Sequence, residues 1–151
     1  MSDSQRVRIR RLEHGAGLPL PERASPGAAG LDVRAAVAAP VTIEPGAIAR
    51  IPSGFALEVP AGFEIQIRPR SGLAMSYGVT LPNTPATIDS DYRGEIVVAL
   101  INHGRQPFVV ERGMRIAQMV LARVPQIEWH EVGELSPTAR GEGGFGHTGV
   151  R

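Results

Sequence analysis

Hydrophobic positions along this chain fall in short runs rather than long stripes. Val7 and Ile9, Val41 to Ile43, Phe55 to Val59, Phe63 to Ile67, Glu95 to Ile101, Phe108 to Val110 and Met114 to Val124 alternate with polar residues or run continuously apolar. Side chains on a strand point to opposite faces in turn, so such runs predict strands buried on one face or on both. Many short strands separated by turn residues predict an all-β domain, either a distorted jelly roll or a β-barrel-like fold. One segment breaks the pattern. Ser71 to Tyr77 starts with a residue suited to an N-cap, carries Leu73 and Tyr77 at i and i+4, and runs into Gly78, which predicts a single short helix.

Composition supports this reading. The 18 glycines and 13 prolines make up about a fifth of the 151 residues, against about 12% in average usage, and they are spread from Gly15 to Gly149. The length suits one domain. We expect a β-rich unit over residues 1–139 and a flexible, glycine-rich arm over residues 140–151, a stretch too poor in apolar side chains to pack by itself. Cysteine is absent, which removes disulfides and thiolate-ligated metals and suits a reducing cytoplasm. The strictly aliphatic run Ile96 to Ile101 is far shorter than the roughly 18 residues that cross a bilayer, so no membrane is expected.

Sixteen basic residues stand against fifteen acidic ones, for a formal charge of +1, so no nucleic-acid partner is expected and any anion site must be local. All the basic residues are arginine, which leaves no lysine for a Schiff base or a phosphate loop. Histidines 14, 103, 130 and 147 lack metal-ligand spacing and read as surface residues, with His147 of interest for its neighbours. Arg6 to Arg11 reads as a strand with charged outer positions.

Four stretches carry candidate chemistry. In Phe63 to Arg70, alternation sets Phe63, Ile65 and Ile67 on one face and Glu64, Gln66, Arg68 and Arg70 on the other. Arg68 and Arg70 precede the free N–H groups of Gly72 and Leu73 and the Ser71 hydroxyl, which suits a phosphate; the alternative is a solvated strand ending in an ordinary cap. Pro82 and Pro85 flank Asn83 and predict a tight hairpin whose backbone could read a flat ligand. In the strand expected to follow, Ile88, Ser90 and Tyr92 share one face and Asp89, Asp91 and Arg93 the other, with Asp89 either a general base or a surface charge. Further on, Gln118 falls in a stripe with Met114, Ile116 and Val120, and a buried amide there needs partners, for which neighbouring backbone would serve. In the tail, Arg140 to Gly149 could fold over a nucleotide, with Phe145 on a base and Arg140 on phosphate, or remain disordered.

Taken in order, Ala29 to Ala35, Arg70 to Ala74 with Gly78, Ile88 to Glu95, Arg112 to Met119 and Arg140 to Gly149 closely resemble the five motifs of the trimeric dUTPase family. The resemblance implies a jelly-roll subunit, a homotrimer with active sites between subunits, and Mg2+-dependent hydrolysis of dUTP to dUMP and pyrophosphate. That activity keeps uracil out of DNA and supplies dUMP for thymidylate synthesis. It further implies that Asp89 activates the water attacking the α-phosphorus and that Arg70, Ser71, Gly72 and Gln118 hold the phosphates. Asn83 and the backbone around Ala86, Thr87 and Ile88 would read uracil, and Tyr92 would pack under the deoxyribose. Arg140 and Phe145 would close from the tail with His147 and Thr148 nearby, and Asp32 would reach the metal through water. Ala86 departs from the family's usual glycine, which puts the local geometry in doubt if the backbone there needs φ > 0. The related dCTP deaminases use a glutamate on the strand after the aspartate motif, where this chain has Ala99, so deamination has no evident acid or base. A non-catalytic dUTP-binding regulatory module is the other alternative.

Overall fold

The computed structural model describes residues 4–150, so the outermost ends of the two expected regions, residues 1–3 and 151, lie outside the described residues. Among the described residues ten strands form: β1 (Arg8–Arg11), β2 (Leu31–Arg34), β3 (Val41–Ile43), β4 (Ile48–Glu58), β5 (Phe63–Arg68), β6 (Val79–Thr80), β7 (Ala86–Ile88), β8 (Glu95–Asn102), β9 (Phe108–Val110) and β10 (Arg115–Arg123). They assemble as two antiparallel four-stranded sheets, β1-β4-β8-β6 and β2-β10-β5-β7, with a two-stranded sheet β3-β9. All three sheets are open, which settles the fold as jelly-roll-like and removes the closed barrel.

The inward faces build one core. Ile96, Val98 and Leu100 of β8 and Ile65 and Ile67 of β5 bury against Val33, Ile51, Val110, Ile116 and Met119. On β8, a continuously apolar run, the even-numbered residues are buried, with Asn102 continuing the row. Asn102 is wholly buried, and its side chain donates to the carbonyls of Ile43 and Gln106 and accepts from the Gly104 N–H, each at 2.8 Å. That satisfies every hydrogen-bonding group of the amide that the turn after β8 can reach.

The predicted helix is α1 (Ser71–Tyr77), ended by Gly78 in the left-handed conformation at φ 71°. Its N-cap is Arg70 rather than Ser71, without a side-chain cap bond, and Ser71 is the first helical residue. Only Leu73 of the i, i+4 pair is buried; Tyr77 lies over Phe108 at 5.2 Å between ring centroids.

Two other expectations change. Val79–Thr80 pairs with β8 and Ala86–Ile88 pairs with β5, so the segment between them crosses from one sheet to the other and forms no hairpin. The strand after it stops at Ile88: Asp89 to Tyr92 is a turn closed by the Tyr92 N–H donating to the Asp89 carbonyl at 3.2 Å, so strand alternation does not sort these side chains. β4 also extends seven residues before Phe55, through Pro52 and Gly54, because a bulge between Pro52 and Ala56 accommodates both.

Candidate active site

The first group of functional side chains gathers where β2, β10 and β5 lie side by side. Gln118 pairs across to Asp32 on one side and to Arg68 on the other. This register exists because β10 has a bulge between Arg115 and Ala117, which changes the phase of the strand. The expected stripe of Met114, Ile116, Gln118 and Val120 therefore breaks: Ile116, Ala117 and Met119 are buried, while Gln118 is half-buried on the face shared with Asp32. Its Nε2 donates to the Pro69 carbonyl at 3.2 Å, so the amide does find backbone. Gly30 makes this pose possible, since a Cβ there would fall 2.3 Å from Gln118 Oε1.

Asp32 holds two arginines. Its Oδ2 is 3.1 Å from Arg115 Nη1 and its Oδ1 is 3.6 Å from Arg70 Nε, with the carboxylate largely covered. Arg70 also donates from Nη1 to the Arg115 carbonyl at 3.1 Å. Two guanidinium groups against one carboxylate leave net positive charge beside the exposed Ser71 and Gly72 at the start of α1. Of Arg68, which ends β5, and Arg70, the N-cap of α1, only Arg70 joins this group. Arg68 donates instead to Gln66 Oε1 from Nε and Nη2, at 3.2 and 2.6 Å, and Gln66 donates to Glu64 Oε1 at 2.7 Å.

The second group sits on the turn after β7. Asp89, Tyr92 and Thr87 are exposed and Ile88 is half-buried. Tyr92 folds back over the turn, its hydroxyl donating to the Glu95 carbonyl at 2.9 Å, and Gly94 leaves the space: a Cβ there would sit 2.3 Å from the Tyr92 oxygen. Arg93 braces the same turn, donating from Nη1 to the carbonyls of Ser90 and Tyr92 at 2.7 and 2.9 Å. Arg50, Thr87, Ile88, Asp89, Tyr92, Glu95 and Val97 line a cavity of about 180 Å³. Ala86 pairs with Ile67 in an ordinary ladder, and Phe145 alone among the described non-glycine residues has positive φ, so the alanine meets no left-handed requirement. Asn83 is exposed on the crossing segment.

The two groups do not meet within one chain. Ile65 faces Ile88 and Ile67 faces Ala86, so continuing the register sets Asp89 beside Glu64, six residues along the chain from Arg70. At about 3.3 Å per residue the four steps from Glu64 to Arg68 at the end of β5 alone span roughly 13 Å, and Arg70 lies beyond them. The tail joins neither. Arg140 donates from Nε to the Gly143 carbonyl at 2.6 Å, His147 lies against Gly143, and Phe145 and Thr148 are exposed; among the described residues no hydrogen bond or ion pair ties them to Arg70 or Asp89.

Arg115, Glu95 and His14 are functional candidates that the sequence pattern passed over. His14, expected as a plain surface residue, has its Nε2 2.7 Å from Glu95 Oε1. The signal for Arg115 was its place between Arg112 and Gln118, but without the bulge its direction was unreadable. Among the described residues no three of His, Asp and Glu cluster in a way that could hold a metal, and no helix is long and apolar enough to cross a membrane.

Comparison with known proteins identifies the family. The chain is 58% identical over 142 residues to the deoxyuridine 5′-triphosphate nucleotidohydrolase of Rhizobium rhizogenes, covering 93% of this chain and 91% of that protein. It is 61% identical over 142 residues to the same-named protein of Sinorhizobium medicae, covering 93% and 89%. The Staphylococcus bacteriophage 80alpha dUTPase, solved with dUPNHPP, superposes with a TM-score of 0.87 at 24% identity, covering 97% of this chain and 100% of that one. A variant dUTPase of phage phi11 of S. aureus, whose structure describes coordination of a structural Mg(II) ion, gives 0.77 at 20% identity, covering 88% and 100%. The dUTPase family model matches residues 17–149, nearly the whole described chain, and on this match and these relatives the chain belongs to the dUTPase family.

Proposed function

We propose that the protein hydrolyses dUTP to dUMP and pyrophosphate, as a cytoplasmic homotrimer whose active sites combine residues of different copies. The observation that carries this reading is the separation of the Asp32–Arg70–Gln118 group from Asp89 and Tyr92 along β5. A triphosphate held by the first group of one copy can meet the Asp89 of another. Uncovered apolar surface supports the same assembly: the outer face of β4 and β8 presents Ile48 and Val97, and the segment after β10 presents Ile127, Trp129 and Leu135.

Each group then has a task. Asp89, exposed and in no ion pair among the described residues, accepts a proton from water as the water oxygen bonds to the α-phosphorus. The bond from that phosphorus to the bridging oxygen breaks, and pyrophosphate leaves. Arg70, with Ser71, Gly72 and Gln118, spreads positive charge and hydrogen bonds over the phosphates, where charge develops. Tyr92 presents its ring to the deoxyribose and leaves no room for a 2′-hydroxyl. Asn83 and the backbone of Ala86 to Ile88 read the uracil edge. The arm of residues 140–151 closes with Arg140, His147 and Thr148 on phosphate and Phe145 on the base, which keeps bulk water out.

Magnesium fits this chain only in a limited way. Both oxygens of Asp32 face arginines, so the carboxylate suits a metal held through water, with most ligands coming from the nucleotide. Bound there, the ion would neutralise charge on the triphosphate.

The test is to follow pyrophosphate and ammonia release from dUTP, dTTP, UTP, dCTP and dATP with magnesium. Pyrophosphate from dUTP, with strong preference over the others, is expected. Ammonia from dCTP would identify a deaminase, and tight dUTP binding without product a regulatory module.

A further inference from the structure

The turn that carries Asp89 and Tyr92 is held from behind by two residues to which the reaction above gives no task. Glu95 opens β8, and its Oε1 accepts from the Gly54 N–H at 2.8 Å and lies 2.7 Å from His14 Nε2. Its main-chain oxygen accepts from the Tyr92 hydroxyl at 2.9 Å. One residue thus holds the β4 bulge with its side chain and the Tyr92 ring with its backbone. The Glu95 side chain is only 21% exposed, and that of His14 is 42% exposed.

His14 is itself placed by the same bulge. It sits in the single 3-10 turn Glu13–Gly15, where the Leu12 N–H donates to the Gly54 carbonyl at 2.8 Å. Gly15 lies so close to Gly54 that a Cβ on it would stand 2.4 Å from the Gly54 oxygen. The other polar groups around Glu95 are Arg50 of β4, Thr87 of β7, and Asp89 and Tyr92 of the turn, which share its cavity. Arg50 is the arginine lining that cavity, and among the described residues its side chain makes no ion pair or hydrogen bond. His14 is therefore the side chain that engages the Glu95 carboxylate.

We infer that Glu95, oriented by His14, is a positioning residue that sets the height of the Tyr92 ring against the sugar and thereby the discrimination between deoxyribo- and ribonucleoside triphosphates. The inference rests on the reading that Tyr92 packs on the deoxyribose. The ring has two anchors, its hydroxyl on Glu95 and its own backbone in the turn closed on Asp89. If the start of β8 slides, the hydroxyl anchor goes with it, and the ring no longer occupies the space that a 2′-hydroxyl would need.

The experiment compares kcat/KM for dUTP with kcat/KM for UTP in the full-length protein and in His14→Ala, Glu95→Ala and Glu95→Gln, with Tm measured for each. A residue that only staples the fold lowers both values together and leaves their ratio unchanged. We expect Glu95→Ala to lower the dUTP-over-UTP ratio about tenfold and His14→Ala about threefold, the scale on which one lost contact changes discrimination. Glu95→Gln retains an acceptor for Gly54 and should keep most of the ratio. His14→Ala should have no effect in the Glu95→Ala background, because its path runs through that carboxylate. His14 lies at the surface, so its variant remains folded and readable even if Glu95→Ala is not. An unchanged ratio in His14→Ala and in the folded Glu95 variants overturns the inference while leaving dUTP hydrolysis intact. An unmodified enzyme without preference for dUTP overturns both it and the assigned place of Tyr92.

Discussion

Gly30→Ala isolates the contact between β2 and the Gln118 amide. The alanine Cβ would stand 2.3 Å from Gln118 Oε1, 3.0 Å from its Cδ and 3.1 Å from its Cβ. The first clash is relieved by swinging the amide, but the third restricts where the side chain can go. Gly30 is not among the residues with positive φ, so its backbone accepts alanine without strain. Swinging the amide breaks the Gln118–Pro69 hydrogen bond, a loss of about 0.5 to 1.5 kcal/mol. Replacing glycine in a compatible conformation returns about 0.4 to 1 kcal/mol through the unfolded chain. Stability should therefore change by less than about 1 kcal/mol, while the amide loses the pose in which we propose it holds phosphate. A hydrogen bond to a charged oxygen contributes about 1.5 to 3 kcal/mol. Its loss corresponds to a fall in kcat/KM of about 10- to 150-fold. Urea denaturation followed by circular dichroism reads the first quantity and steady-state pyrophosphate release the second. Gln118→Ala should give a similar loss, and the double variant should be no worse than either single one. A Gly30→Ala enzyme with native kcat/KM and an unchanged denaturation midpoint would refute the reasoning.

Asp89→Asn should lower kcat by ~10² to 10⁴ with dUTP binding retained in calorimetry; comparable turnover would remove Asp89 as the base. Arg70→Ala should also be inactive, yet co-refolding it with Asp89→Asn in equal amounts should restore about one site in four, since each site draws these residues from different copies. No recovery would mean that both belong to one chain's site. Deleting residues 140–151 should leave the oligomer's mass in light scattering unchanged while hydrolysis falls steeply, and normal hydrolysis by the shortened chain would rule out a closing arm. Asn102→Ala strands two carbonyls and an N–H in the interior, so chemical denaturation should show a loss of about 2 to 4 kcal/mol with little change in the KM of the folded fraction.

What could be read from the chain and what could not divide on whether a local pattern was interrupted. On β5 the sequence alternates and Ile65 and Ile67 are buried as it predicts, whereas the continuously apolar run of β8 did not say which side chains would point inward. Leu73 and Gly78 marked the helix correctly because its inward contact and its left-handed end are both local properties. β10 misled because one bulge shifts the phase of everything after Ile116, and bulges have no signature in apolar periodicity. Pro82 to Pro85 carries the residues of a turn, but turn chemistry does not say which sheet receives the next strand. The motif residues were identifiable by type and order. The contacts Asp32–Arg115 and His14–Glu95 join residues more than eighty positions apart, which no window along the chain brings together.

The length of β5 has a consequence for how the protein enters service. With the arginine group past one end and Asp89 near the other, a solitary subunit would, in the proposed assembly, hold every required residue and no complete site. Newly made chains would then be silent until enough have accumulated to associate, and activity at high dilution would fall more steeply than protein concentration. In the proposed assembly a chain defective in one group would spoil one site and still serve its neighbour with the other, whereas a chain defective in both would spoil two.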